Sequence, residues 1–145
     1  MEFETRLNKL IKLKICDDSE RLFLPNRPIY VFILPAWENN ISKKIGMATA
    51  LVWLNKKIEW MDIKINNPKI RGKGIGSLVV QFMCNYLKKN GATEIFGHIS
   101  DVDDIERVKF FWEKNGFTVT DLKNCKGHFV AEVKLSFKSA SLKNF

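Results

Sequence analysis

The chain has 145 residues, of which 46% are hydrophobic and 28% charged, and its formal net charge is +8. These values are typical of a soluble globular domain and exclude a disordered chain, which is poorer in apolar residues. The longest apolar runs, such as residues 29–36, are well short of the about 20 residues of a membrane helix, and the N-terminus lacks the apolar core of a signal peptide. We therefore expect one cytoplasmic domain over residues 1–145, without a membrane partner.

The first half of the chain has the pattern of four β-strands. Residues 10–16 alternate apolar and basic side chains as a half-exposed strand does, although their spacing also allows a helical turn. Three runs rich in branched and aromatic residues follow, at residues 29–34, 46–54 and 57–65. The sequence NKK at residues 55–57 predicts a tight hairpin between the last two runs, which gives a three-stranded meander.

The second half of the chain predicts two helices and three more strands. Apolar residues recur at helical spacing over residues 76–90 and end at KKNG, which supplies the cations and the glycine typical of a helix end. Residues 103–116 have a similar acid-started, glycine-ended pattern, and strands are predicted at residues 94–100, 117–122 and 128–137. The predicted fold class is α/β (α+β), with a mixed, mostly antiparallel sheet flanked by helices.

The segment NPKIRGKGIGSLVV, residues 67–80, places three glycines and three cations between a predicted strand and a predicted helix. Successive backbone N–H groups at the positive end of a helix dipole form a site for a phosphate or pyrophosphate. The spacing excludes G-x-x-x-x-G-K-[ST], since no Lys-Ser or Lys-Thr follows, and G-x-G-x-x-G, since Gly72, Gly74 and Gly76 alternate. The three widely spaced cysteines include no C-x-x-C pair, so no disulfide framework or metal site is predicted.

Two motifs in this order resemble one known family. RGKGIG, residues 71–76, resembles the R/Q-x-x-G-x-G/A signature of the GNAT superfamily of N-acetyltransferases, whose loop amides bind the pyrophosphate of acetyl-coenzyme A. FFWEKNGF, residues 110–117, resembles the family's F-Y-E-K-x-G-F helix end, and residues 59–76 look like its splayed fourth strand leading to the loop. The resemblance covers residues from about 29 to the C-terminal strand.

The resemblance implies a binding site for acetyl-CoA. The pyrophosphate would be bound by backbone N–H groups of the loop and the first helical turn, with the side chains of Arg71 and Lys73 adding charge. Ile63 and Ile65, where the fourth strand parts from the fifth, would use main-chain groups to hold the pantetheine arm and polarise the thioester carbonyl. The loop residues assigned to the cofactor are Arg71, Gly72, Lys73, Gly74, Ile75, Gly76 and Ser77.

The resemblance also implies catalytic residues. Glu59 matches the strand position where many family members keep a glutamate that acts as a base, usually through water; a half-exposed strand carboxylate is the equally weighted alternative. Asp62 is the reserve candidate, although strict alternation sends it to the opposite face from Glu59. Trp112 occupies the position of the tyrosine that often protonates the leaving thiolate, and its indole is a donor but not a practical acid.

Two further departures from the family pattern concern the acceptor. The asparagine common at the start of the second helix falls on Ile105, which leaves Asp101, Asp103 and Asp104 as polar substitutes or as helix caps. Only about a dozen residues separate the first two strands, where the family normally places two helices that wall the acceptor site. An open pocket slightly favours a bulky amine acceptor, such as a protein terminus, a lysine side chain or an aminoacylated RNA, over a small amine. A homodimer could rebuild the missing wall.

Two other functional classes compete with a working acetyltransferase. The replaced tyrosine and asparagine favour a degenerate module that binds coenzyme A or a protein without catalysis. The net charge suggests a nucleic-acid-binding protein, and solubility explains that charge equally well. Because the cations are scattered and the aromatic residues sit at core spacing, nucleic acid is the weakest of the three interpretations.

Overall fold

The computed structural model describes residues 11–66, 74–123 and 127–137. Two α-helices lie in these ranges, α1 (Ile75–Lys89) and α2 (Ile105–Lys114), and short 3₁₀ turns occupy Ile41–Lys43 and Leu54–Lys56. The strands are β1 (Ile11–Asp17), β2 (Pro28–Pro35), β3 (Gly46–Val52), β4 (Lys57–Ile65), β5 (Glu94–Ser100), β6 (Thr118–Asp121) and β7 (Phe129–Ser136).

The described strands form one seven-stranded sheet in the order β1-β2-β3-β4-β5-β7-β6. Every neighbouring pair is antiparallel except β4 and β5, which are parallel and joined by α1. The predicted fold class, a mixed and mostly antiparallel sheet flanked by helices, is therefore confirmed. The first predicted segment is a strand rather than a helical turn, because residues 11–17 all pair with residues 29–35 of β2.

Both helices pack on one face of the sheet, which we call the helix face. Tyr86 of α1 donates a 2.6 Å hydrogen bond to Asp17 of β1, and Trp112 of α2 packs edge-on against Trp60 of β4 with ring centroids 5.7 Å apart. Each fully buried Leu, Ile, Val or Met side chain contributes about 1.5–3 kcal/mol relative to exposure. The buried residues of this core include Leu13, Val31, Ala48, Ile58, Val79, Met83, Leu87, Ile95 and Val133.

The opposite face of the sheet, which we call the far face, carries the alternate residues of each strand. Cross-strand register places Glu59 beside Phe96, and His98 beside Glu132, on this face. Within the described ranges, α1 and α2 both lie against the helix face and no other α-helix is present. The far face is therefore where polar side chains of the central strands collect.

The connection between β1 and β2 contains no helix, and all of its residues, 18–27, are described. It is a series of turns in which Glu20, Arg21, Phe23 and Asn26 have positive φ angles. The predicted shortening of this region is confirmed, since two helices would need a much longer segment. Its apolar anchor is Phe23, which is 4% exposed and packs into the core.

Strand β4 contains a β-bulge that overturns one prediction. Ala50 pairs with Trp60 but Thr49 pairs with Asp62, so Met61 is an extra residue on β4. Strict alternation would place Asp62 on the opposite face from Glu59, and that expectation is wrong. The bulge places Asp62 on the far face, the same side as Glu59. One inserted residue shifts the alternation, so the side chains after it lie on the opposite face from the one expected.

Helix α2 begins at Ile105, later than the predicted start at Asp103. Asp104 occupies the N-cap position, but its side chain makes no capping hydrogen bond. Asp103 instead accepts a hydrogen bond from the Ser100 backbone N–H at 3.0 Å, and Asp101 lies 3.4 Å from the Nδ1 atom of His128. The expectation that these acids cap the helix is therefore wrong for Asp101 and Asp103. Asp103 stabilises the turn before α2, and Asp101 contacts the connection between β6 and β7.

Candidate active site

The parallel strands β4 and β5 pair over three residues and then separate. Their last register pair is Glu59 with Phe96. Beyond this pair, β4 remains paired with β3 on its other side, and β5 remains paired with β7. The bulge at Met61 follows directly, and because bulges bend and twist a strand, it accounts for the separation of β4 from β5. The result is a V-shaped opening between the C-terminal halves of the two strands.

The N-terminus of α1 lies at the same edge of the sheet as the open end of the V. In a strand-helix-strand unit with parallel strands, the helix starts at the carboxyl ends of the strands, which is where ligands bind in such sheets. Gly74 is the N-cap, with φ of 83° in the left-handed region, which an L-residue adopts at a cost of about 1–2 kcal/mol. The first N–H groups of α1, from Ile75, Gly76 and Ser77, have no acceptor within the helix by its geometry.

The structure describes four of the residues predicted for the phosphate site, Gly74, Ile75, Gly76 and Ser77, and all four lie at the start of α1. Gly76 also packs closely against α2, since a β-carbon there would lie 3.3 Å from the Phe111 ring, which would have to shift slightly to admit it. The other predicted loop residues, Arg71, Gly72 and Lys73, lie outside the described residues.

Asn115 is a residue of this region that the sequence did not reveal. It ends α2, is 8% exposed, and donates from Nδ2 to the Ser77 hydroxyl at 3.2 Å and to the Phe111 carbonyl at 2.8 Å. Its Oδ1 atom accepts a 3.1 Å hydrogen bond from Gln81 of α1. Asn115 therefore fastens the first turns of α1 to the end of α2. The position inside the FWEKNGF motif was the only sequence signal for it.

Glu59 lies at the tip of the V on the far face. Its Oε1 atom accepts a 2.8 Å hydrogen bond from the indole N–H of Trp53, and its Oε2 atom is 3.8 Å from the Nδ1 atom of His98. Its side chain is 18% exposed, so it is accessible but restrained. A carboxylate with one oxygen fixed and the other directed toward an imidazole can accept a proton at a defined place.

His98 is a second polar residue that was not singled out in the sequence. It stacks on Phe129 with ring centroids 4.7 Å apart, and Phe96 contacts it edge-on at 6.2 Å. Its Nε2 atom lies 4.0 Å from Glu132 of β7. Alternation along EIFGHIS puts Phe96 and His98 on one face, but only the parallel pairing of β5 with β4 reveals that Glu59 shares it.

Trp112 lies in an aromatic cluster on the helix face. It is 9% exposed and packs edge-on against Trp60, Phe111 and Phe117, with centroid distances of 5.7, 5.3 and 4.8 Å. The residue at the family's tyrosine position thus contacts β4 one residue beyond Glu59. The bulky indole fills space that a tyrosine would leave partly empty.

Ile63 and Ile65 belong to the part of β4 beyond its last pair with β5. Ile63 is paired with Ala48 and Ile65 with Gly46, so both side chains are directed to the helix face. Their predicted role rests on main-chain groups in the wall of the V, and the position of these residues is compatible with it. Asp62 directly precedes Ile63, lies on the far face and is exposed.

A separate polar group lies at the end of β1. Burial, and next a hydrogen bond to Asp17, raise the pKa of Tyr86 to about 12. Asp17 also accepts a 2.9 Å hydrogen bond from the Ser19 backbone N–H and a bond from the Ser19 hydroxyl. Because Asp17 accepts bonds from Tyr86 of α1 and from Ser19 of the turn, the group stabilises the start of the β1–β2 connection.

None of the helices in the described ranges has the length and hydrophobicity needed to span a bilayer.

Comparisons with known proteins identify the family of the chain. Residues 5–117 match the model of the Acetyltransferase (GNAT) family. The chain belongs to the GNAT family of acetyltransferases, so the family and the enzyme class predicted from the sequence are confirmed. No curated protein matches the chain significantly.

Solved GNAT structures share the fold at low sequence identity. The PaiA N-acetyltransferase of Thermoplasma acidophilum, in complex with coenzyme A, is 19% identical with a TM-score of 0.57 over 76% of this chain and 61% of its own. The Vibrio cholerae spermidine N-acetyltransferase, with CoA and spermine, is 16% identical with a TM-score of 0.58 over 75% and 65%. The Escherichia coli ribosomal-protein-S18-alanine N-acetyltransferase is 14% identical with a TM-score of 0.54 over 84% and 77%. The chain thus spans less than two thirds of the first two structures.

Proposed function

We propose that this protein is an N-acetyltransferase that transfers an acetyl group from acetyl-CoA to a primary amine by direct attack in a ternary complex. The observation that carries the proposal is the V between β4 and β5, which opens at the edge where α1 begins and has Glu59 at its tip. Family membership supplies the cofactor class. The opening between the strands and the start of α1 support the proposal that the thioester end and the pyrophosphate end of the cofactor bind there.

The N-terminus of α1 is suited to the pyrophosphate. Gly74 starts the helix in a left-handed conformation, and the N–H groups of Ile75, Gly76 and Ser77 follow at the positive end of the dipole. Arg71, Gly72 and Lys73 complete the predicted loop and add two cations. The pantetheine arm would lie in the V, with the main chain of Ile63 and Ile65 as its wall. When bound, acetyl-CoA supplies the activated acetyl thioester.

Glu59 is the residue proposed to take the proton of the acceptor. An ammonium group is not nucleophilic, so a proton must leave the acceptor nitrogen before that nitrogen attacks the acetyl carbon. Glu59 lies where β4 and β5 part, and Trp53 holds one of its oxygens. Trp112 is proposed as an aromatic packing group at the thioester end of the V, since its indole cannot act as the acid. The second proton of the nitrogen would go to the leaving thiolate, directly or through water.

The acceptor is proposed to approach from the far face. The helices pack on the other face, and the short β1–β2 connection contains no helix to enclose the acceptor. Glu132 of β7 also lines a cleft of about 390 Å³ with Thr118, Thr120 and Lys134. An open, partly acidic surface suits a primary amine carried by a large molecule, such as a protein terminus or a lysine side chain, and it also admits a polyamine like the spermine bound by the Vibrio enzyme.

A two-stage measurement tests the function and separates it from a degenerate binding module. Acetyl-CoA should raise the melting temperature, since a ligand that binds only the folded state stabilises it. Thiol release should then be detected with at least one member of a panel of peptides, lysine derivatives and polyamines. Glu59→Gln should lower turnover roughly 10²-fold while the acetyl-CoA affinity stays unchanged. Glu94→Gln, which alters a carboxylate paired with Lys57 at 3.9 Å, is the matched control.

The outcomes are distinct. Stabilisation by acetyl-CoA without thiol release from any amine would identify the degenerate module, which the replacement by Trp112 favours. An absence of stabilisation would contradict the assignment of the V and the α1 N-terminus. Normal turnover in Glu59→Gln would leave Glu59 as a strand carboxylate, and catalysis would then depend on positioning an amine that arrives neutral.

A further inference from the structure

Three ionisable side chains lie in a row across the far face, one from each of three neighbouring strands. His98 of β5 is in the middle, with its Nδ1 atom 3.8 Å from Glu59 of β4 and its Nε2 atom 4.0 Å from Glu132 of β7. The two nitrogens of the imidazole are thus directed at two different carboxylates. A neutral imidazole can accept a proton at one nitrogen and release one from the other.

The ring is held in this orientation by aromatic contacts. Phe129 of β7 stacks on it with an interplanar angle of 21°, and Phe96 contacts it edge-on at 86°. The side chain is 25% exposed, so it is restrained but reachable by water. Catalytic hydrogen bonds are often long in the unliganded state and shorten in the complex, so the 3.8 and 4.0 Å separations are compatible with proton transfer.

We propose that His98 is a positioning residue that relays the acceptor proton from Glu59 toward Glu132 and solvent, an inference that rests on the proposed acetyl transfer. The ammonium loses one proton to Glu59, which passes it to Nδ1 of His98. The neutral nitrogen bonds to the acetyl carbon, the carbon–sulfur bond breaks, and the second proton of the nitrogen goes to the thiolate. The imidazolium releases a proton from Nε2 to Glu132, which returns it to water, so one proton is released per amide formed.

The charged groups around His98 come from two neighbouring strands. Glu59 faces it from β4 and Glu132 from β7. Lys134 of β7 is a neighbouring cation, and its Nζ atom lies 3.6 Å from Oε1 of Glu132. The row does not have the geometry of a metal site, since no group of three His, Cys, Asp or Glu in the described ranges is placed to hold an ion.

The chain offers a matched control, because it has only two histidines. His128 is 81% exposed and pairs with Asp101, outside the row. We expect His98→Gln to lower kcat about 10-fold near neutral pH with an unchanged KM for acetyl-CoA, while His128→Gln behaves as wild type. The defect of His98→Gln should shrink as the pH rises, because an amine that arrives neutral needs no relay. Glu132→Gln should lower kcat about three-fold, as expected for loss of a partly exposed ion pair.

Chemical rescue separates a proton relay from a packing role. Free imidazole should restore part of the turnover of His98→Ala, and it should not change Glu59→Gln. Stabilisation by acetyl-CoA, measured on each variant, shows that the variant is folded. Equal kcat for His98→Gln and wild type across the pH range would overturn the relay, as would a pH-independent defect without imidazole rescue. If wild type itself acetylates no amine, the proposed function and the relay both fail; if wild type turns over, only the relay is at issue.

Discussion

The indole N–H of Trp53 donates a 2.8 Å hydrogen bond to Oε1 of Glu59. Trp53 directly follows β3 and Glu59 lies on β4, so the tight turn between the two strands brings the two side chains together. The turn spans Leu54–Lys56, closed by a 2.7 Å hydrogen bond from the Trp53 N–H to the Lys57 carbonyl, and Asn55 and Lys56 have positive φ angles of 61° and 60°. The turn predicted from NKK therefore also positions the candidate base.

Replacing Trp53 with phenylalanine should lower turnover about five-fold, and by less than Glu59→Gln does. The phenyl ring keeps the packing on Phe96, 6.4 Å away, but loses the donor, and a net hydrogen bond is worth about 1 kcal/mol. Steady-state kinetics with a saturating acceptor measure the effect. Trp37→Phe, at a tryptophan that is 78% exposed and outside the site, is the control. Wild-type turnover in Trp53→Phe would show that Trp53 does not position Glu59.

Gly74→Val should abolish stabilisation by acetyl-CoA. The φ of 83° at the N-cap of α1 strains any L-residue and most of all a β-branched one, and a side chain there would obstruct the N–H groups that follow. Gly74→Asn is a milder variant, because asparagine tolerates the left-handed region. It should weaken acetyl-CoA binding less than Gly74→Val does. Thermal shift with acetyl-CoA measures both variants. A folded Gly74→Val protein with wild-type affinity would contradict the assigned phosphate site.

Trp112→Tyr should leave cofactor binding unchanged and turnover similar or higher, because it restores a titratable hydroxyl where the family often has one. The smaller ring leaves part of the cluster around Trp60 and Phe117 unfilled, so the free energy of unfolding should fall by about 1–2 kcal/mol. Trp112→Phe loses similar volume without gaining a hydroxyl. A large loss of turnover in a folded Trp112→Tyr protein would show that the indole itself positions the acceptor or the thioester.

Asn115→Ala should lower the free energy of unfolding by about 2–3 kcal/mol. It removes hydrogen bonds to Ser77, to the Phe111 carbonyl and from Gln81 at a site that is 8% exposed. Gln81→Ala removes only one of these bonds and should cost less than 1 kcal/mol. Urea unfolding of the three proteins measures the difference. Equal losses in the two variants would mean that the network is not centred on Asn115.

Stability should depend on Tyr86 at alkaline pH. Its pKa is raised from 10.0 to about 12, chiefly by burial and next by its bond to Asp17, so the folded state keeps the phenolic proton longer than the unfolded state. The resulting stabilisation is present below pH 10 and is lost as the pH rises from 10 to 12. The difference in unfolding free energy between wild type and Tyr86→Phe, measured at pH 9 and pH 11.5, should therefore shrink. A constant difference would contradict the raised pKa.

The fold was predictable from the sequence because its elements are marked by local patterns. The bounds of β4 and β5 coincide with the predicted strands, and α1 begins and ends within one residue of the prediction. Apolar periodicity, turn residues and terminal cations act within a few residues of one another, so they can be read without the tertiary structure. The start of α2 was less well predicted, since Asp103 bonds within the preceding turn and Asp101 contacts His128, so neither caps the helix.

The face of Asp62 was not predictable in this way. A β-bulge is a property of two paired strands, and the extra residue Met61 is recognisable only from the register between β3 and β4. The same bulge marks the point where β4 leaves β5. The site therefore depends on a β-bulge that cannot be recognised from the alternation of side chains along β4 alone.

The sequence by itself determined the family and the order of the elements. It also determined the loop and first helical turn proposed for the phosphates, because a glycine-rich loop and the helix that follows it are adjacent along the chain. The tertiary structure decided what surrounds Glu59. Trp53 reaches it through a hairpin, and His98 and Glu132 reach it from β5 and β7 through parallel and antiparallel pairing. Residues so far apart along the chain become neighbours only when strand order and register are fixed, and those are set by burial of the helix face as a whole.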